Sequence, residues 1–436
     1  MDNSTIGIVG VGITLFLMAM RVPIAVALGS VSIGGIVLML NVRAGLGMIS
    51  SIPFDTIGDW SLTAVPMFLL MGYICTTTGL TTGLFTAMRM FLARLPGGLA
   101  VTGVVACALF ASASGSSVAT ASAMSRMAVP EMLRYNYQPG LASAVVAASG
   151  TLGSLIPPSI LMILYGIYAE VSIGKLFMAG FLPGILSAIL YIAMIISRCK
   201  LNPNLAGRAE EDYSGAQKLR ALYDVWPLPL LIISVLGGIF QGWFSPTEAG
   251  AVGAFVAMLI ALSRGALTFE AFKKALKLSV VGTSSIFAIF IGTLFFMKFL
   301  ALSRLPTDFA TFVLEITQGN SYLIILGVAL IYIILGMFIE SIGLMLLTLP
   351  LILPLVTGAD MNLIWFGIIV IKLLEIGLIT PPIGLNVYVI KGALGDQVTL
   401  QQIFKGVAWF IMMDLVALLL IVFYPSIALY LPELMQ

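Results

Sequence analysis

Apolar stretches about 20 residues long recur from one end of this chain to the other, and no other feature restricts its fold so much. A helix of that length crosses the roughly 30 Å hydrocarbon core of a bilayer. Inside lipid the backbone must satisfy its own hydrogen bonds, and long unbroken apolar runs do so as helices. Runs bounded by turn signals give ten crossings, at roughly 5–20, 24–40, 62–79, 140–168, 176–197, 227–242, 246–263, 280–300, 362–390 and 403–424. Only 9% of the 436 residues are charged, whereas soluble domains carry roughly 25%. The chain reads as an all-α polytopic membrane protein in contact with membrane lipids, with no segment left over for a soluble catalytic domain.

Several function classes fall away. There is no histidine, which removes HExxH zinc proteases, serine–histidine intramembrane proteases and haem ligation by histidine. Paired catalytic aspartates and a Walker motif are also missing, which argues against an intramembrane protease and against ATP hydrolysis by this chain. A net charge of +2 is too small to suggest nucleic acid as a partner. Cys75, Cys107 and Cys199 lack metal-ligand spacing and read as free apolar fillers. No basic region precedes the first apolar run, so residues 5–20 read as a retained span rather than a cleaved signal peptide.

Two further apolar stretches, 99–130 and 322–354, are interrupted at their middles by Gly, Ser and Pro. They read as re-entrant hairpins, each entering and leaving on one side. The basic residues test that layout. With the N-terminus outside, the inward segments collect Arg21, Arg89, Arg94, Arg198, Lys200, Arg208, Lys218, Arg220, Arg264, Lys273, Lys274, Lys277 and Lys391. The outward segments collect Arg43, Lys175 and Arg304. This is the positive-inside bias expected of a bacterial inner-membrane protein, and it disappears if either hairpin is counted as a crossing. Both termini are then periplasmic.

The two halves share landmarks at one spacing. Pro23 and Pro246 lie 223 residues apart, Pro157 and Pro381 lie 224 apart, and Ser116 and Ser341 lie 225 apart. Each half then holds five transmembrane helices and one hairpin, in the same order. Because five is odd, the halves enter the membrane from opposite sides. The expected architecture is an inverted repeat: residues 1–198 (hairpin 99–130, broken helix 140–168), a cytoplasmic connector over 199–226, and residues 227–436 (hairpin 322–354, broken helix 362–390). Such repeats bind their solute near the midplane, where the repeats meet.

Chemistry is expected at two matched interruptions. The first joins ASASGSSVATASA (Ala111–Ala123) to GTLGSLIPPSI (Gly150–Ile160). Two adjacent prolines remove two amide donors and clash with the preceding turn, so the helix must break. Carbonyls near Gly153, Ile156 and Pro157 can coordinate a hard cation, with hydroxyls of Ser112, Ser114, Ser116 or Ser117 completing the shell. The plainer reading is that small residues let helices pack closely; the double proline at the same level and its recurrence favour a site. The second joins GMFIESIGLML (Gly336–Leu346) to EIGLITPPIGLN (Glu375–Asn386), where Gly336, Gly377, Thr380 and Ile383 are the candidate cation ligands. Ser116, Ser117, Ser341 and Asn386 are candidate solute contacts.

Charges inside the apolar sequence need partners, because an unpaired one costs about 2.5–3.5 kcal/mol on insertion scales. Lys372 and Glu375, three apart on one helix, can pair with each other. Lys298 lies near a span end and can snorkel. Asp414 has no neighbour in sequence to neutralise it. Glu340, at a hairpin tip, suits a structural hydrogen-bonding role or direct participation in transport equally well. Arg126, in ASAMSRMAVPEM, offers a guanidinium for bidentate capture of a carboxylate; pairing with Glu131 or an interfacial position is the alternative.

Taken in order, VPMFLLMGYI, SGSSVATA, GTLGSLIPPSILMILYG, SIGKLFMAGFLPG, SPTEAGAVGA and GLITPPIGLNVYVIKG resemble the large membrane subunit of the tripartite ATP-independent periplasmic (TRAP) transporters along essentially the whole chain. The resemblance implies import of an organic carboxylate, such as a C4-dicarboxylate or sialic acid, driven by Na+. It also implies two partners, a small four-helix membrane subunit and a periplasmic substrate-binding protein. No additional spans precede residue 5 or replace the connector, so the small subunit is expected as a separate chain. The family is described as elevators, in which a unit near 99–197 and 322–424 slides against a scaffold that includes 1–60 and 227–280. Two alternatives are a proton symporter using Glu340, Asp414 and Glu375, and a divalent-anion/sodium symporter that needs no binding protein.

Overall fold

The computed structural model describes residues 2–81, 83–207 and 213–435, and every regular element among them is helical. Arg208, one of the basic residues assigned to the connector, lies outside the described residues. Two helix–turn–helix pairs occupy the stretches read as hairpins. Gly98–Ser114 and Ser117–Arg134 make the first, and Ser321–Gly336 with Ser341–Gly358 make the second. The first tip turns on Gly115, whose φ of +62° suits a residue without a side chain. Ser116 then caps the returning arm by accepting from the Ala119 amide.

Both double prolines break their helices. Pro139–Leu155 stops at Ile156 and resumes as Ile160–Tyr168, with Ser159 as its cap. Leu363–Ile379 stops at Thr380 and resumes as Leu385–Leu394 after Gly384, at φ +57°. The broken helices cross-brace each other. Tyr165, past the first break, donates its phenol to the Leu363 carbonyl at 2.7 Å. Asn386, past the second break, donates its amide to the Ala147 carbonyl at 3.2 Å. The stretches Leu141–Leu155 and Trp365–Ile379 are buried throughout, so they form the centre of the molecule.

The element order of the first half recurs in the second. Asn3–Ala19 and Ile24–Met39 match Pro227–Phe240 and Pro246–Ser263; after them come a hairpin, a broken helix and a long span, Ile173–Leu201 or Leu400–Phe423. The halves also differ: Gly215–Val225 leads into the second and Ser426–Glu433 ends it, and neither has a counterpart in the first. The first has Val42–Ile57 and Ala64–Thr77, separated by a short turn of helix, where the second has the single helix Phe269–Ser303.

That helix is longer than the expected 280–300, and Val42–Ile57, Leu84–Leu92 and Leu305–Thr317 were not anticipated at all. They are too short, or too interrupted by charge, to register as bilayer-length apolar runs. Val42–Ile57 leaves Leu46, Phe54 and Ile57 exposed, which suits a helix lying along the interface.

Candidate functional site

The first hairpin tip is seated directly on the first break. A Cβ on Gly153 would meet Ala111 Cβ at 3.2 Å and the Ser116 carbonyl carbon at 3.4 Å, and one on Gly115 would meet the Pro158 oxygen at 3.1 Å. Only small residues allow this approach. Pro157 and Pro158 have no amide hydrogen, so the Gly153 and Ser154 carbonyls lack helical donors. Around them the hydroxyls are tightly organised: Ser117 Oγ lies 2.6 Å from Ser154 Oγ, and Ser114 Oγ lies 2.9 Å from Thr120 Oγ1. Ser112 is buried and donates to the Leu109 carbonyl. This all-oxygen, small-residue setting suits a hard monovalent cation held by unwound backbone.

The second tip and break meet through two glycines. A Cβ on Gly377 would lie 2.8 Å from Gly336 Cα, and one on Gly336 would lie 3.0 Å from Gly377 Cα. Thr380 donates its hydroxyl to the Ile376 carbonyl at 2.6 Å. Ser341 Oγ is buried without a partner, a group that a bound ion or water would satisfy. The two breaks are not equivalent in environment. Pro157, Pro158 and Ser159 are buried, whereas Pro381, Pro382 and Ile383 are exposed.

Between the tips lies a cavity of about 290 Å3. Ser114, Ser116 and Ala119 line it from the first hairpin, Glu340 and Ile342 from the second, and Ile160 from the first broken helix. The starts of three helices therefore open onto one space, a setting that favours a negative ligand. The opposite wall comes from Ala64–Thr77 (Leu69, Gly72, Tyr73, Thr76) and Phe269–Ser303 (Gly282, Ser285, Ile286, Ile289). Gly72 abuts the first tip, since a Cβ there would meet the Ser114 oxygen at 3.0 Å. No lysine or arginine among the described residues lines the cavity.

The sequence profile of the tripartite ATP-independent periplasmic transporter, DctM component, matches residues 11–427. The chain belongs to this family. It is 34% identical to the C4-dicarboxylate TRAP transporter large permease protein DctM of Pseudomonas aeruginosa, over 87% of this chain and 88% of that one. It is 30% identical to the sialic acid TRAP transporter large permease protein SiaM of Vibrio cholerae, over 91% and 92%. Its fold is similar to that of the YdaH transporter of Alcanivorax borkumensis, with a TM-score of 0.60 at 14% identity over 89% and 88% of the two chains. The chain is thus a membrane-embedded, multi-span TRAP large permease, and the relatives named here are transporters rather than enzymes.

Within this DctM-family permease the expected solute contacts separate. Ser116 lines the cavity, joined by Ser114 and Glu340. Ser117 and Ser341 are buried and are not among the lining residues, Ser117 lying against Ser154, and Asn386 braces the broken helices through its amide nitrogen while its buried Oδ1 has no partner. Arg126 is not at the cavity and is exposed. It lies nine residues past Ser117, about 13 Å down the arm at 1.5 Å per residue. The expected alternative for it, pairing with Glu131, is also not made, because Glu131 pairs with Arg89. Glu340 accepts from the Gly343 amide at 3.2 Å and so caps its own helix while facing the cavity.

Asp414 finds its partner across the fold. Lys372 Nζ lies 2.7 Å from Asp414 Oδ1, 3.1 Å from Glu375 Oε2 and 3.0 Å from Ser187 Oγ, and Tyr191 donates its phenol to Asp414. The expected Lys372–Glu375 pair forms, Asp414 ties it to Leu400–Phe423, and Ser187 and Tyr191 tie the cluster to Ile173–Leu201. The residues that sequence reasoning missed are those of the opposite wall. Their signal was faint: hydroxyl and glycine residues, such as Thr76 and Gly282-Thr283-Ser284-Ser285, inside apolar spans.

Proposed function

We propose that this permease imports a small organic carboxylate across the bacterial inner membrane, coupled to sodium, with both termini periplasmic. The observation that carries the reading is the cavity shared by the two hairpin tips, onto which three helix starts open and which no basic side chain among the described residues lines. An anion there is held by helix dipoles, backbone amides and hydroxyls, and its charge is balanced by sodium at the two breaks. Relatives named for C4-dicarboxylate and sialic acid support an organic acid as the solute. The tripartite family description supports two partners, a small four-helix membrane subunit and a periplasmic binding protein that delivers the solute.

An elevator motion of the unit near 99–197 and 322–424 accounts for a cavity whose walls belong half to the hairpins and half to Ala64–Thr77 and Phe269–Ser303. The two halves act as an inverted repeat, each supplying one hairpin, one break and one sodium site. The test is uptake by the reconstituted three-component system under imposed gradients. Sodium-driven accumulation is expected. Uptake with a proton gradient alone would overturn the sodium assignment, and uptake of free solute by this chain without a binding protein would favour a divalent-anion/sodium symporter.

A further inference from the structure

At one end of the molecule, away from the hairpin tips, the start of Pro139–Leu155, the start of Leu400–Phe423 and the finish of Ile173–Leu201 come together. The first two cross at glycines: a Cβ on Gly406 would lie 2.0 Å from the Gly140 oxygen. Beside the crossing is a cavity of about 300 Å3 that includes Gln138, Gly140, Leu141, Arg198, Gln402 and Lys405 in its lining. No carboxylate among the described residues lines it, and neither Arg198 nor Lys405 forms an ion pair with a described residue. Pro139–Leu155 has no side-chain cap, so the first-turn amides of Gly140 and Leu141 add positive potential to the same space.

Arg198 is half-buried and stacks on Trp409, with its guanidinium carbon 4.4 Å from the ring centre. From Trp409 an exposed apolar stripe runs along Leu400–Phe423 through Met412, Val416, Leu419 and Phe423, at helical spacing. Cations near two helix ends, with a tryptophan about two and a half turns into Leu400–Phe423 and an apolar stripe continuing from it, match a phosphate headgroup followed by its acyl chains.

We propose that this cavity binds the headgroup of an anionic phospholipid. The inference rests only on the chain being embedded in a membrane, so its failure leaves the proposed function untouched. The test is native mass spectrometry of the purified full chain offered equal amounts of phosphatidylglycerol and phosphatidylcholine. Preferential retention of phosphatidylglycerol is expected. Two cations near the headgroup, each contributing about 1 kcal/mol, correspond to a roughly thirty-fold loss of that preference in Arg198→Gln/Lys405→Gln. Lys405→Glu alone changes an exposed side chain and should reduce the preference in the same direction. Equal retention of the two lipids by the unsubstituted chain, or a preference that survives both variants, overturns the proposal. Displacement of phosphatidylglycerol by inorganic phosphate would assign the cavity to soluble anions and overturn it as well.

Discussion

Lys372, Glu375 and Asp414 are all fully buried, so the charge left behind by a substitution decides how well it is tolerated. In Lys372→Met, the ammonium 2.7 Å from Asp414 and 3.1 Å from Glu375 is removed, leaving two carboxylates with no countercharge. Asp414 would keep the Tyr191 phenol, but Glu375 would keep nothing, because its second oxygen already lacks a partner. Removing one member of a buried ion pair costs about 3–5 kcal/mol. Glu375→Gln differs in kind: Lys372 retains Asp414 and the Ser187 hydroxyl, and the new amide oxygen can still accept. Its cost is that of one weakened hydrogen bond, about 0.5–1.5 kcal/mol. Thermal unfolding of the detergent-solubilised chain separates the two, read with a thiol-reactive dye that reaches buried Cys75, Cys107 and Cys199 only on unfolding. Lys372→Met should unfold well below the unsubstituted protein and Glu375→Gln close to it. Coincident midpoints for the two variants would refute the charge reasoning.

Replacing Pro157 and Pro158 by alanine returns amide donors to the Gly153 and Ser154 carbonyls; sodium-dependent uptake should be lost while the membrane level of the protein is maintained, and unchanged uptake would remove the first cation site. Gly377→Ala places a methyl 2.8 Å from Gly336 Cα, an overpacking worth about 1–3 kcal/mol. A sodium titration of uptake should show a higher half-saturating concentration; an unaltered curve would count against the second site. Arg126→Gln changes an exposed side chain remote from the cavity, so the solute KM should move by no more than roughly twofold; a large rise would bring the guanidinium back into the site.

What was legible in the sequence is local. Pro157-Pro158 and Pro381-Pro382 announce the breaks because proline lacks a donor wherever it sits, and Gly115 among serines announces a tip. What was not legible depends on contacts between distant segments. Asp414 meets Lys372 only because Leu400–Phe423 packs on the second broken helix. Tyr73 and Ser285 reach the cavity only because their helices pass the hairpin tips, and neither residue type is unusual in a span. Arg126 shows the converse: its residue type suited a carboxylate, but the pitch of the arm carries it past the tip. Val42–Ile57 escaped because 16 residues that include Arg43 and Asp55 do not make a bilayer-length apolar run.

Glu340 bears on the order of binding events. Its carboxylate faces a cavity that no lysine or arginine among the described residues lines, so the proposed carboxylate solute meets a like charge on entering. Helix starts offset part of this repulsion, and under the proposed coupling sodium at the breaks offsets the rest. Solute and sodium should therefore strengthen each other's binding, and by linkage each must do so by the same factor, typically about 5–150-fold. Glu340→Gln removes the repulsion while keeping an oxygen able to accept from the Gly343 amide. Solute affinity measured on the reconstituted complex without sodium should rise in this variant, and the gain on adding sodium should shrink. If sodium still enhances solute binding by the full factor, Glu340 is no more than a helix cap. If affinity in sodium collapses instead, Glu340 is itself a ligand of the ion, and the coupling passes through its carboxylate rather than through charge balance across the cavity.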